Sequence, residues 1–193
     1  MNHESPDSPR STNVTKMNAI WTELKEFKVG NGNEELTFIQ RIANENGWDY
    51  EYAKRAYQEY LKFIFLATIS DRHVTPSDQV DQVWHLHLCY TQSYWTDLCK
   101  YTLGKDIHHG PTKGGEQESY RFSAQYDDTL TLYEKCFKQK PPLDIWPSAR
   151  DRFDPRNQFV RTSLSEYFVI KKKHLYIITS LACGLLFLSS SDC

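Results

Sequence analysis

Residues Thr75–Trp95, TPSDQVDQVWHLHLCYTQSYW, decide how the chain folds. Thr75 reads as an N-cap and Pro76 suits the first helical position. Asp78, three residues after that cap, approximates a capping box and sits at the positive end of the helix dipole. At about 100° per residue, Val80, Val83, Trp84, His87, Leu88, Thr91, Tyr94, Trp95 and Leu98 share one broad arc. Asp81, His85, Cys89 and Gln92 gather at its polar edge. The pattern predicts a buried helix from Thr75 to about Gly104, with more polar chemistry than core packing requires.

That chemistry centres on histidine. Asp81 and His85 are four apart and therefore neighbours on one helical face. A carboxylate there orients the imidazole, raises its basicity or supports it as a metal ligand. His85 and His87 are two apart and point about 200° from each other, so an undistorted helix cannot aim both at one ion. Ile107-His108-His109-Gly110-Pro111 adds two imidazoles in a loop, which places four of the seven histidines in one hairpin. The plain reading makes His87 a core histidine bonded to a backbone carbonyl, and His108 and His109 caps on the helix C-terminus. The functional reading takes His85, His108 and His109 as ligands of a divalent metal, with Asp81 behind them. Trp84, His87, Tyr94 and Trp95 complete a ligand-binding or structural network around them. Trp-His-Leu-His lacks the spaced histidine pair and glutamate of a zincin, and the absence of Cys-x2-Cys excludes a zinc finger.

The segment from Val80 to Leu88 (VDQVWHLHL), followed by Thr91, Tyr94-Trp95 and His108-His109-Gly110-Pro111, resembles the glycine-rich domain-containing protein family, over roughly Leu61 to Asp154. That family is shared by plant proteins and uncharacterised bacterial ones. The resemblance implies a domain of unknown biochemical function, with plant members linked to stress and development. Plant relatives add a glycine-rich tail and an RNA-recognition-like region, neither of which this sequence has, so it implies none of their roles here. Thr75-Pro76-Ser77-Asp78, Gly110 to Gly115 and Asp144-Ile145-Trp146-Pro147 look closest to the bacterial branch.

The other segments set the architecture. Aromatic residues make up 14 % of the 193, which favours a packed core over disorder. A net charge of −2 argues against a nucleic-acid partner by bulk electrostatics. Five cysteines at irregular spacing read as free thiols in a reducing compartment. Residues 1–16 read as a disordered leader. Helices are expected over Asn18–Lys28, from an Asn33 cap to Asn46, over Asp49–Ser70, over the organising stretch, and over Glu116–Lys138. The last should use Tyr120, Ala124, Leu130, Tyr133 and Phe137 as core contacts. Trp146, in an aperiodic loop after Pro141-Pro142, is expected to pack back as a lid. Residues 17–154 thus make an all-α domain, a compact helical bundle of about five helices.

Residues 155–174 form a linker ending in the basic stop Lys171-Lys172-Lys173-His174. Leu175–Leu188 is uncharged and apolar; as a helix it rises about 21 Å against a hydrocarbon core of about 30 Å. Ser189–Ser191 extend it and the lysines snorkel, so 175–191 is expected to be a single transmembrane helix with the bundle facing the cytoplasm. No nucleophile elbow, Ser/His/Asp order or Rossmann glycine pattern is present. Three functions follow: a membrane-anchored module binding a protein partner or small ligand, a metal-dependent enzyme, or a scaffold in which the histidines are structural.

Overall fold

The computed structural model describes residues 9–30, 34–110, 114–154 and 156. Among them the fold is all-α: α1 (Pro9–Glu26), α2 (Phe38–Asn46), α3 (Tyr50–Ile69), α4 (Asp78–Cys89), a π-helix (Gln92–Leu103), α5 (Glu116–Phe137) and the short α6 (Ala149–Arg152). No described helix is long and apolar enough to cross a membrane. The expected span at 175–191, most of the linker and the first eight residues lie outside the described part.

Helix α3 is the axis. The Asp49 carboxylate accepts from Tyr52 N at 2.8 Å and starts the helix, and Glu51 suits the dipole in its first turn. Leu61, Phe63, Ile64, Phe65 and Leu66 are all buried, so the second half of α3 meets protein on every side, as its all-round apolar sequence requires. Helices α1, α2, α4 and α5 each pack against it. Burial of those five side chains, at about 1.5–3 kcal/mol each, makes α3 the largest apolar contribution to the fold.

Several boundaries differ from the sequence expectation. Helix α2 is capped by Thr37, not Asn33: Gln40 N donates to the Thr37 hydroxyl, and Thr37 N donates back to the Gln40 side chain at 2.8 Å. This reciprocal box satisfies two orphan donors at once, so it sets the start. Helix α1 begins at Pro9, inside the stretch read as leader, and reaches the core through Ile20 and Leu24. In α5, Tyr120 is 84 % exposed and Ala124 is exposed; Tyr126, Thr129 and Tyr133 are buried instead. The first turns of α5 extend past the core, where a helical stripe has nothing to pack on.

Trp146 is no lid. It is 1 % exposed, with its ring among those of Phe63, Tyr126 and Tyr133 at 5.9–6.4 Å. Its Nε1–H donates to Glu59 Oε2 at 3.0 Å, while Lys62 Nζ holds Glu59 Oε1 at 2.8 Å and donates to the Tyr133 hydroxyl at 2.8 Å. A buried carboxylate needs such partners, and the loop from Pro142 exists to deliver one.

The organising stretch is not a single helix. Ser77, rather than Thr75, caps α4, its hydroxyl accepting from Val80 N at 3.2 Å. Thr75 is claimed by α5, its backbone N–H donating to Thr129 Oγ1 at 3.0 Å. At Tyr90 (φ −89, ψ 63) the α-helix closes with a bond from Tyr90 N to His87 O. The chain then continues with π spacing to Gly104, whose left-handed conformation (φ 63) ends the run where expected. Beyond Tyr90 a 100° step no longer holds, and the expected arc survives only in part: Tyr94 and Leu98 are buried, whereas Thr91 is exposed and Trp95 is 39 % exposed.

Candidate functional site

The site is built from α4 and residues 105–110. With Ser77 starting the helix, Asp81 and His85 stand one turn apart on the same face, Oδ2 to Nε2 at 3.5 Å. The loop is pinned by Tyr94 on the π-helix. The Tyr94 hydroxyl accepts from Trp84 Nε1 at 2.9 Å and donates to the carbonyl of buried Ile107 at 2.5 Å. One phenol therefore ties α4, the π-helix and the loop together, two residues before His109. His109 is laid over α4 as a result: its Nε2 donates to Asp81 Oδ1 at 2.8 Å. Its ring centre is 4.5 Å from that of Trp84 and 4.4 Å from that of His85.

One ligand atom from each of Asp81, His85 and His109 lies within 4.8 Å of the other two. Asp81 and His109 are sheltered, with 21 % and 17 % of their side chains exposed, whereas His85 is open at 58 %. A tetrahedral ion with bonds of about 2.0–2.1 Å holds its ligand atoms about 3.3 Å apart. The separations to Asp81 are 2.8 Å from His109 and 3.5 Å from His85, to different carboxylate oxygens, so an ion would draw the three side chains onto one point.

The structure redistributes the expected site residues. Asp81 stands in the cluster itself, not behind it. His108 is not part of it: the side chain is exposed and its ring lies 5.6 Å from Trp95. Adjacent loop residues project in different directions, and the Ile107 anchor selects His109. His87 is fully buried, Nδ1 2.7 Å from the Tyr60 hydroxyl and Nε2 3.1 Å from Ser93 Oγ. Its partners are thus two hydroxyls rather than a backbone carbonyl. Burial pushes its pKa from 6.5 down to about 3, so it is a neutral core group. Trp84 and Tyr94 are buried supports, and Trp95 lies at the surface.

A cleft of about 960 Å³ opens over the cluster. Asp81, Trp84 and His85 form one wall, with His108, His109 and Gly110 beside them. Val74–Pro76 and, from α5, Ser119, Arg121, Phe122 and Gln125 also line it, as do Arg152 and Phe153. Nothing in the local sequence marked the α5 and α6 residues. Arg152 arrives through its ion pair with Asp78 (2.5 Å) and a bond to Pro76 O, contacts across more than seventy residues.

Tyr94→Phe tests how the loop is held. Loss of the hydroxyl strands Trp84 Nε1 and Ile107 O, at an expected cost of about 1–3 kcal/mol. Amide exchange should speed up at His108 and His109 and stay unchanged in α3; unaltered exchange in the loop would show that Tyr94 does not pin it.

Comparison with known proteins finds no match for the chain: no protein family, no curated protein and no solved structure.

Proposed function

We propose that the chain is a metal-dependent ligand-binding protein in which Asp81, His85 and His109 hold one divalent transition-metal ion at the wall of the cleft. The convergence of those three side chains within 4.8 Å carries this reading. Two imidazoles and one carboxylate suit zinc, iron or manganese better than calcium or magnesium, which favour all-oxygen sites. Three protein ligands leave coordination positions free, and here they face an open cleft, the arrangement of reactive rather than structural sites. An ion so held polarises a bound oxygen and lowers the pKa of bound water. The resemblance to the bacterial branch of the glycine-rich domain-containing family is part of the same proposal. So is a membrane anchor at 175–191 with the bundle on the cytoplasmic side, supported by the lysine run before it. A protein partner at the membrane fits the same arrangement.

The 2.8 Å bond from His109 to Asp81 favours a second reading, a clasp that docks the loop on α4 without an ion. Elemental analysis of the full chain, purified without a histidine tag, separates the two. The metal reading expects near-stoichiometric metal in the parent and in His108→Ala, and at least about a tenfold loss of affinity in Asp81→Asn and His109→Ala. A parent that takes up no zinc, iron or manganese on incubation, with both variants melting lower, would establish the clasp instead.

A further inference from the structure

The cleft beside the cluster is charged in a way the three ligands do not explain. Asp81 is the only carboxylate among the described residues that line it, whereas Arg121 and Arg152 contribute guanidiniums and His73 and His108 imidazoles. A divalent ion outweighs the Asp81 charge by one; Arg121 and Arg152 are each ion-paired, so what they add to the lining is guanidinium donors more than net charge. The carboxylates that pair with them, Glu118 on Arg121 (2.7 Å) and Asp78 on Arg152 (2.5 Å), lie outside the lining.

The two arginines differ in what they have left to give. Arg152 is largely buried and committed to Asp78 and to Pro76 O, so it has little left for a ligand. Arg121 is half exposed and spends one Nη2 contact on Glu118. Its guanidinium has five N–H donors in a rigid fork, and the fork matches the paired oxygens of a carboxylate or phosphate. The rings of Trp84, Phe122 and Phe153 supply apolar lining to the same cleft. A cavity of about 960 Å³ is at the upper end of small-molecule sites and suits a metabolite-sized molecule.

We infer that the cleft takes a small organic anion with an apolar body, whose carboxylate or phosphate head is shared between the ion on Asp81, His85 and His109 and the guanidinium of Arg121. This deepens the metal reading and rests on it. The ligand class follows from lining charge, the donor set of Arg121 and cleft size together.

The test uses the full chain loaded with cobalt(II), whose visible spectrum reports the coordination of the ion, and three probes: benzoate, phenyl phosphate and neutral benzyl alcohol. Either anion should change the cobalt spectrum, and the stronger of the two identifies the head group; benzyl alcohol should not change it. Arg121→Gln should bind cobalt as the parent does but weaken the anion about tenfold or more. Arg121→Lys should recover only part of the loss, because it restores charge without the fork. If cobalt loads and neither anion alters the spectrum, the inference is overturned and the metal reading stands. Equal binding by Arg121→Gln, or by benzyl alcohol, also overturns it. If cobalt does not load, both fall.

Discussion

Trp146→Ala is expected to destabilise the protein by about 3–5 kcal/mol, the usual cost of emptying a buried tryptophan site. Two losses combine. The indole is 1 % exposed and fills the space between Phe63 on α3 and Tyr126 and Tyr133 on α5, so its removal leaves a cavity at the junction of those helices. Its Nε1–H also serves Glu59 Oε2, a carboxylate that is itself 6 % exposed. Lys62 still holds the other oxygen, so the loss leaves one buried carboxylate oxygen without its donor, which is costly. Trp146→Phe keeps most of the ring and removes only the donor, so it should cost about 1–3 kcal/mol. Urea unfolding at constant slope measures both. An alanine variant within about 1 kcal/mol of the parent would mean that the loop can be undocked without consequence.

His87 should give the protein a pH-dependent stability that a glutamine in its place abolishes. Burial lowers its pKa from 6.5 to about 3, so between those values the unfolded chain takes up a proton that the folded chain refuses. Unfolding is favoured as pH falls through that window, by about 1.4 kcal/mol per pH unit, and is unaffected well above it. Between pH 8 and pH 5 the His87 contribution should decline by about 2 kcal/mol. His87→Gln offers an amide to Tyr60 and Ser93 and has nothing to titrate. The informative quantity is the difference between the two proteins, measured with a chelator present so that bound metal contributes to neither. Parallel stability curves from pH 8 to pH 5 would show that the imidazole is not held neutral.

What the sequence made legible is what local spacing controls. The bounds of α3 and α5, the stop at Gly104 and the Asp81–His85 pair each depend on residues within one or two turns, and each appears in the structure as read. Contacts between distant residues decided the rest. Thr75 and Ser77 both read as caps in isolation; in the structure Thr75 bonds to α5, its backbone N–H to Thr129 and its hydroxyl to Gln125, and Ser77 caps the helix. His108 and His109 are indistinguishable as letters, and the bond from Tyr94 to Ile107 O makes one a member of the cluster and the other a surface residue. Tyr120 fits the stripe of α5 as well as Tyr133 does, but lies where the bundle has already ended.

The π-helix bears on how such a site tolerates change. Between Thr91 and Gly104 the backbone turns with more residues per revolution than an α-helix, so Tyr94 and the loop beyond Gly104 sit at angles set by how many residues intervene. Exposed Lys100 and Tyr101 touch neither the cluster nor Tyr94's bonds, and their side chains are free to vary. Their number is not free: one residue removed would let the segment relax to α spacing and swing everything after it by about 100°. The direction in which His109 points is thus a phase, recorded in the length of the segment more than in its letters.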